Sequence, residues 1–201
     1  CDGYTQLSCW GREENWTLPT AVCRQKDGRW LIGETAYATA LAGEGSVTDK
    51  LIRLVLQDGS DTIYGVKYRA VDLLKCFLEQ VFSLPLEEGK TVDGSMVKEL
   101  VITVPKMKAR LMDGLMYCAD QLKIPRAHVH VISHTEAFMY FVLSQTRDVW
   151  SNHVGLFDLS EKCLCYYEMK VQKNMGQVTA VAEREKLEEG FALDILSAPQ
   201  G

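Results

Sequence analysis

The stretch Glu99-Leu100-Val101-Ile102-Thr103-Val104-Pro105 decides how this chain is read. It is short, rich in β-branched residues and stopped by a proline, as a buried strand should be. Downstream of it, from Lys106 to Leu122, the apolar residues Met107, Leu111, Leu115, Ala119 and Leu122 recur at steps of three and four, which is one face of a helix. His128-Val129-His130-Val131-Ile132 then reads as a second strand and Ser133 to Gln145 as a second helix. Val154-Gly155-Leu156-Phe157-Asp158-Leu159-Ser160 reads as a third strand. Strand, helix, strand, helix, strand predicts an α/β fold with parallel strands covered on both faces. The third strand runs into Asp158, and open α/β sheets hold ligands beyond the carboxyl ends of their strands. Asp158 is therefore the leading candidate for a ligand-facing residue.

Upstream, residues 4 to 10 and Leu18 to Arg24 read as two strands joined by a polar turn from Gly11 to Asn15. Asp27-Gly28 is a strong hairpin signal leading into Arg29-Trp30-Leu31-Ile32-Gly33. Glu34 to Ala42 suits a short helix that stops at Gly43. Val47 to Leu56 alternates only loosely, Asp58-Gly59-Ser60-Asp61 reads as a turn, and residues 44 to 66 are expected to form a small insertion. Tyr68 to Phe82 places Val71, Leu74, Phe77, Leu78, Val81 and Phe82 at helical spacing. Leu84 to Ser95, with Pro85, Gly89 and Gly94, reads as a surface loop. Leu187 to Leu196 is expected to begin another amphipathic helix. Both ends read as cut from a longer protein, since Cys1 has no strand before it and the last helix stops in Ser197-Ala198-Pro199-Gln200-Gly201.

A chain of 201 residues can bury one sizeable core, or one core with an appended lobe. A net charge of −5 argues against a nucleic-acid partner held through its phosphates. No apolar run approaches the roughly 20 residues that span a bilayer, and no signal peptide is visible. The seven cysteines, an odd number, lie at positions 1, 9, 23, 76, 118, 163 and 165 and suggest no disulfide framework, so a reduced, cytoplasmic setting is expected.

Several site classes fall away. There is no Gly-x-Ser-x-Gly elbow, no P-loop and no dinucleotide fingerprint. Cys163 and Cys165 share one face of a strand, but His128, His130, His134 and His153 stand at no known structural zinc spacing. His128 and His130 alternate and are expected to share a partly buried sheet face. Cys118, on the apolar side of a helix, is a poor nucleophile.

Three segments carry a family resemblance: Leu31-Ile32-Gly33-Glu34-Thr35-Ala36, Leu100 to Pro105 with its following helix, and Asp158-Leu159-Ser160. Together with the order of elements they resemble the first half of the nucleotide-binding domain of actins, heat-shock chaperone ATPases, bacterial cell-division and cell-shape actins, and sugar kinases. The resemblance implies a ribonuclease H-like, mixed five-stranded sheet flanked by helices. It also implies an actin-like subdomain over 1–43 and 68–167, a small inserted subdomain over 44–67, and the start of a second lobe over 168–201. ATP and Mg2+ would lie between two lobes whose closure is the output. Gly3, Tyr4 and Thr5 would be the remainder of the first phosphate loop, and Asp158, Ser160 and Lys162 would belong to the second. Asp158 would also hold the metal through water, and Glu136 would position the attacking water as the catalytic carboxylate.

The departures from that pattern are as informative as the matches. The Asp that opens the family's first loop would precede Cys1, Cys1 stands where a glycine is usual, and Asp2 brings negative charge. In the second loop Ser160, Glu161 and Lys162 replace the glycines that let backbone N–H groups approach phosphate oxygens. By register His134 stands at the family's acidic position, with Glu136 two residues on. As plain structure, Asp158 caps a strand turn, Gly3 and Thr5 are turn residues, and Glu136 is a solvated helix residue. The family's adenosine-binding segment lies in its later half, so this chain is expected to bind ATP weakly or not at all. The resulting expectation is an assembly or adaptor module acting through a protein partner or self-assembly. The alternative is an active Mg-ATP-dependent ATPase when full length. A filament-forming or division-associated role is fold-level analogy only.

Overall fold

The computed structural model describes residues 18–84, 93–144, 153–159, 163–174 and 177–189. The chain divides into two compact units, one spanning Cys1–Ile102 with Met107–Val131 and the other Thr103–Lys106 with Ile132–Gly201.

The first unit opens on the expected hairpin. β1 (Val22–Gln25) pairs antiparallel with β2 (Trp30–Ile32), Cys23 opposite Leu31. The Asp27 carboxylate closes the turn by accepting from the Arg29 backbone N–H at 3.0 Å and from Arg29 Nε at 2.7 Å. β3 (Gly45–Thr48) pairs with the other edge of β1, completing a three-stranded sheet. Between β2 and β3 runs α1 (Gly33–Leu41), matching the expected alanine-rich helix. Its first residue, Gly33, has φ +63°, and a Cβ there would collide with the Leu18 side chain. Both the backbone conformation and the space demand glycine at that point of the Leu-Ile-Gly segment.

α2 (Leu51–Leu56) follows, then the hairpin of β4 (Ser60–Ile63) and β5 (Val66–Arg69). Its two turn residues, Tyr64 and Gly65, have φ +50° and +78°, the signature of a type I′ turn. β5 runs directly into α3 (Ala70–Ser83), which lies at the centre of the unit. Leu73 and Phe77 of α3 bury against Val22, Ile32, Leu51 and Ile63, drawn from β1, β2, α2 and β4. Trp30 meets Tyr68 edge to face at 5.5 Å, locking β2 to β5. The buried Thr48 hydroxyl donates to Asp61 at 2.6 Å and ties β3 to β4.

β6 (Leu100–Val104) pairs with β7 (Val129–Ser133), and α4 (Ala109–Gln121) lies between them in sequence. Ala119, Ile124 and Val129 form a separate cluster with Leu100, Met116 and Phe82. His128 ends a short turn before β7 and lies 3.3 Å from the Val97 carbonyl, while His130 is exposed and meets Glu99 at 2.7 Å. The expected shared, partly buried histidine face is therefore not formed.

In the second unit, α5 (His134–Ser144) packs Phe138 and Val142 on Cys165, Tyr167 and Met169. Those three alternate along β9 (Cys163–Asn174), which is flanked by β8 (His153–Leu159) and β10 (Gln177–Glu189) in an antiparallel sheet of order β10-β9-β8. Leu187 to Glu189 are strand rather than the start of a helix; the rest of that predicted helix lies outside the described residues.

The α/β class holds, but the single five-stranded sheet does not. Among the described residues there are two three-stranded and two two-stranded sheets. The difference turns on β8. Its residues from His153 to Leu159 pair with β9, the next strand in the chain, instead of running parallel beside β7. Closing a connection of a few residues costs far less chain entropy than a crossover, and hydrophobic periodicity does not report which neighbour a strand takes.

Substituting Gly33→Ala is expected to destabilise the chain by about 1–2 kcal/mol from the left-handed backbone alone, with a further penalty from Leu18. Urea unfolding should show a lower midpoint at unchanged slope.

Candidate functional site

Of the residues singled out from the sequence, Gly3, Tyr4, Thr5, Ser160 and Lys162 lie outside the described residues. Asp158 is the last but one residue of β8, opposite Cys165, and Leu159 opposite Leu164 is the final pair before the connection to β9. Its side chain lies outside the description. Glu136 sits in the first turn of α5, half-buried, where its backbone N–H donates to Ser133 Oγ at 3.1 Å. Ser133 is thus the cap of the helix, and Ser133-His134-Thr135-Glu136 has the Ser-x-x-Glu spacing of a capping box. The Glu136 carboxylate accepts from the Tyr140 hydroxyl at 3.4 Å. An acidic group here also complements the positive end of the helix dipole. These contacts give Glu136 a structural role that does not require a substrate.

A second constellation, not singled out from the sequence, lies in the first unit. An open cleft of about 400 Å3 is lined by Val55, Asp58, Val71, Arg110, Asp113, Gly114 and Tyr117. A smaller lobe of about 170 Å3 shares Val55, Asp58 and Val71 and adds Gly59, Ser60, Lys67, Arg69 and Ala70. Arg110, Asp113, Gly114 and Tyr117 fall at steps of three, one and three along one face of α4. Gly114 forms the floor: a Cβ there would stand 3.0 Å from Val55 Cγ1 and 3.5 Å from Val71 Cγ1. Its absence lets α4 settle against α2 and α3. A glycine inside an otherwise helical pattern was the one sequence sign of this close approach.

Charge in the cleft is unevenly satisfied. Arg69 grips Asp72 with Nε to Oδ2 at 2.7 Å and Nη2 to Oδ1 at 2.9 Å. The Tyr117 hydroxyl donates to Asp72 Oδ1 at 2.9 Å, joining α4 to the first turn of α3. The Arg69 guanidinium beside Asp72 holds that carboxyl below its usual value, with the Tyr117 hydroxyl assisting. Arg110 approaches Asp58 more loosely, at 3.6 Å. Lys67 and Asp113, by contrast, form no ion pair or hydrogen bond among the described residues. The thiols nearby are inert: burial pushes Cys118 up to about 12 and Cys76 up to about 11, and Cys118 Sγ rests 3.8 Å from the Val71 carbonyl oxygen.

Two outcomes test these contacts. Ser133→Ala should cost about 1 kcal/mol of stability by removing the α5 cap, measured by urea unfolding. For Asp72 the folded pKa is depressed, so its contribution is present above the ordinary aspartate value of 3.8 and is lost as pH falls through the lower folded value. Asp72→Asn should therefore be less stable than the parent at neutral pH, and the gap should close on acidification below that value.

The sequence matches the DUF5716 C-terminal family, a family of unknown function, over residues 3–200, and the chain belongs to that family. No curated protein matches it. Among the described residues, no helix is long and apolar enough to cross a membrane.

Proposed function

We propose that this chain is an actin- or chaperone-like nucleotide-binding fold whose phosphate chemistry has been lost, and that it works as an assembly or adaptor module through protein contacts. The observation that carries this reading is the connection from β8 to β9. Leu159 closes β8 and Cys163 opens β9, and the sequence between them is Ser160-Glu161-Lys162, without a glycine. A phosphate cradle is built from backbone N–H groups that only residues without side chains let a ligand approach closely. Here every position carries a side chain, and Glu161 adds a negative charge. ATP and Mg2+ do not fit that donor set. The backbone of Glu136 is held by the Ser133 cap, and its carboxylate accepts from the Tyr140 hydroxyl at 3.4 Å, contacts that a structural helix residue makes. Cys23, Cys76, Cys118 and Cys165 are free thiols, in keeping with a reduced, cytoplasmic setting.

The second reading, an active Mg-ATP-dependent ATPase, draws on Asp158 near the end of β8 and on Thr5. A thermal shift with Mg-ATP separates the two. A nucleotide present at 100 times its dissociation constant stabilises the folded state by about 2.7 kcal/mol. For a chain of this size that raises Tm by roughly 5–10 °C. The protein carrying this chain should show a change of no more than about 1 °C at millimolar Mg-ATP, within the scatter such a measurement must beat. A rise of the larger size would establish the ATPase reading instead.

A further inference from the structure

The cleft on the first unit holds two charges, one of each sign, that have no partner among the described residues. Among the ionic groups lining it, Arg69 is held by Asp72 and Arg110 by Asp58, whereas Lys67 in the smaller lobe and Asp113 in the larger one are unpaired. Both are exposed, and the two lobes are continuous through Val55, Asp58 and Val71. The floor between them is apolar, made by Val55, Val71 and the bare backbone of Gly114, with Tyr117 at one side.

We infer that this cleft is the contact surface of a symmetric dimer, occupied by the same surface of a second copy of the chain, with Lys67 of each copy paired to Asp113 of the other. The inference specifies the assembly surface of the module proposed above and rests on that reading. Its basis is the symmetry of the unpaired charges. A two-fold axis brings residue i of one copy to residue j of the other and, at the same time, j to i. A surface with one unpaired cation and one unpaired carboxylate, set apart on a common floor, is therefore complementary to itself. A partner of uniform charge would pair one of the two and leave the other facing a like charge. Val55 and Gly114 are already buried, so what a second copy would cover is the half-buried Val71 and Tyr117, a small apolar contribution beside the charges. The ion pairs supply register and exclude wrong partners.

The test is sedimentation of the 201-residue chain over a concentration series, with Lys67→Glu, Asp113→Lys and the double exchange. The parent should pass from the 22.6 kDa monomer to twice that mass as concentration rises. Because symmetry uses each pair twice, either single reversal replaces two attractions by two repulsions. Each should weaken the dimer by about tenfold or more. The double exchange restores opposite charges across the axis and should return the dimer to within about threefold of the parent. Both side chains are exposed, and circular dichroism melts check that the variants stay folded. A parent that remains monomeric throughout the series overturns the inference. So does a dimer indifferent to the single reversals, or a double exchange weaker than either single. A dimer indifferent to these charges would leave the assembly reading in place with another surface. The nucleotide thermal shift, which does not depend on Lys67 or Asp113, reports separately on that reading.

Discussion

The first unit depends on one buried helix face. Leu73, Leu74 and Phe77 of α3 are almost completely removed from water, and Leu73 and Phe77 meet side chains from both strands of the first hairpin, from α2 and from β4. Each such side chain contributes about 1.5–3 kcal/mol on burial, whereas the exposed ion pairs along the surface contribute little. The hub also fixes geometry. The Ala70 N–H at the start of α3 donates to the Gly59 carbonyl at 2.9 Å, so the helix begins where the chain leaves α2. Asp72, one turn in, is then placed to receive both Arg69 and Tyr117. The cleft is thus a by-product of packing: α4 approaches because residue 114 has no side chain, and the charged residues around that approach become its walls.

The second unit obeys the same rule on a smaller scale. Alternate residues of β9 face α5, and Tyr167 packs against Phe138 with ring centroids 5.9 Å apart. On the opposite face Tyr166 stacks obliquely with Phe157 of β8 at 5.0 Å. β9 thus makes aromatic contacts on both of its faces, to α5 on one and to β8 on the other.

Much of this was legible in the order of residues, and the parts that were not share a cause. Helices α3, α4 and α5 announced themselves by steps of three and four, and the first hairpin by Asp27-Gly28, because those signals are local. The β4–β5 hairpin was hidden because Tyr64, a residue rarely chosen for a left-handed backbone, stands at the first turn position where Asn or Asp would have flagged it. The Ser133 cap is legible as Ser-x-x-Glu, a local signal of the same kind. The sheet arrangement was not legible, since apolar alternation says that a strand is buried and not which strand lies beside it. The cleft was least visible of all. Asp58 and Lys67 flank the β4 strand, but Asp113 stands 46 residues beyond Lys67 on α4, and nothing in their local sequence brings them together.

The proposed loss of nucleotide chemistry rests on the sequence between β8 and β9. β8 and β9 pair antiparallel, and between them the sequence has serine, glutamate and lysine where a phosphate loop would have glycines. The most direct measurement is an amide-resolved titration of the chain with Mg-ATP, followed at the backbone N–H signals of Thr5, Ser160, Glu161 and Lys162. The account predicts no saturable displacement of any of them up to millimolar nucleotide. Shifts that saturate together at both turns would contradict it.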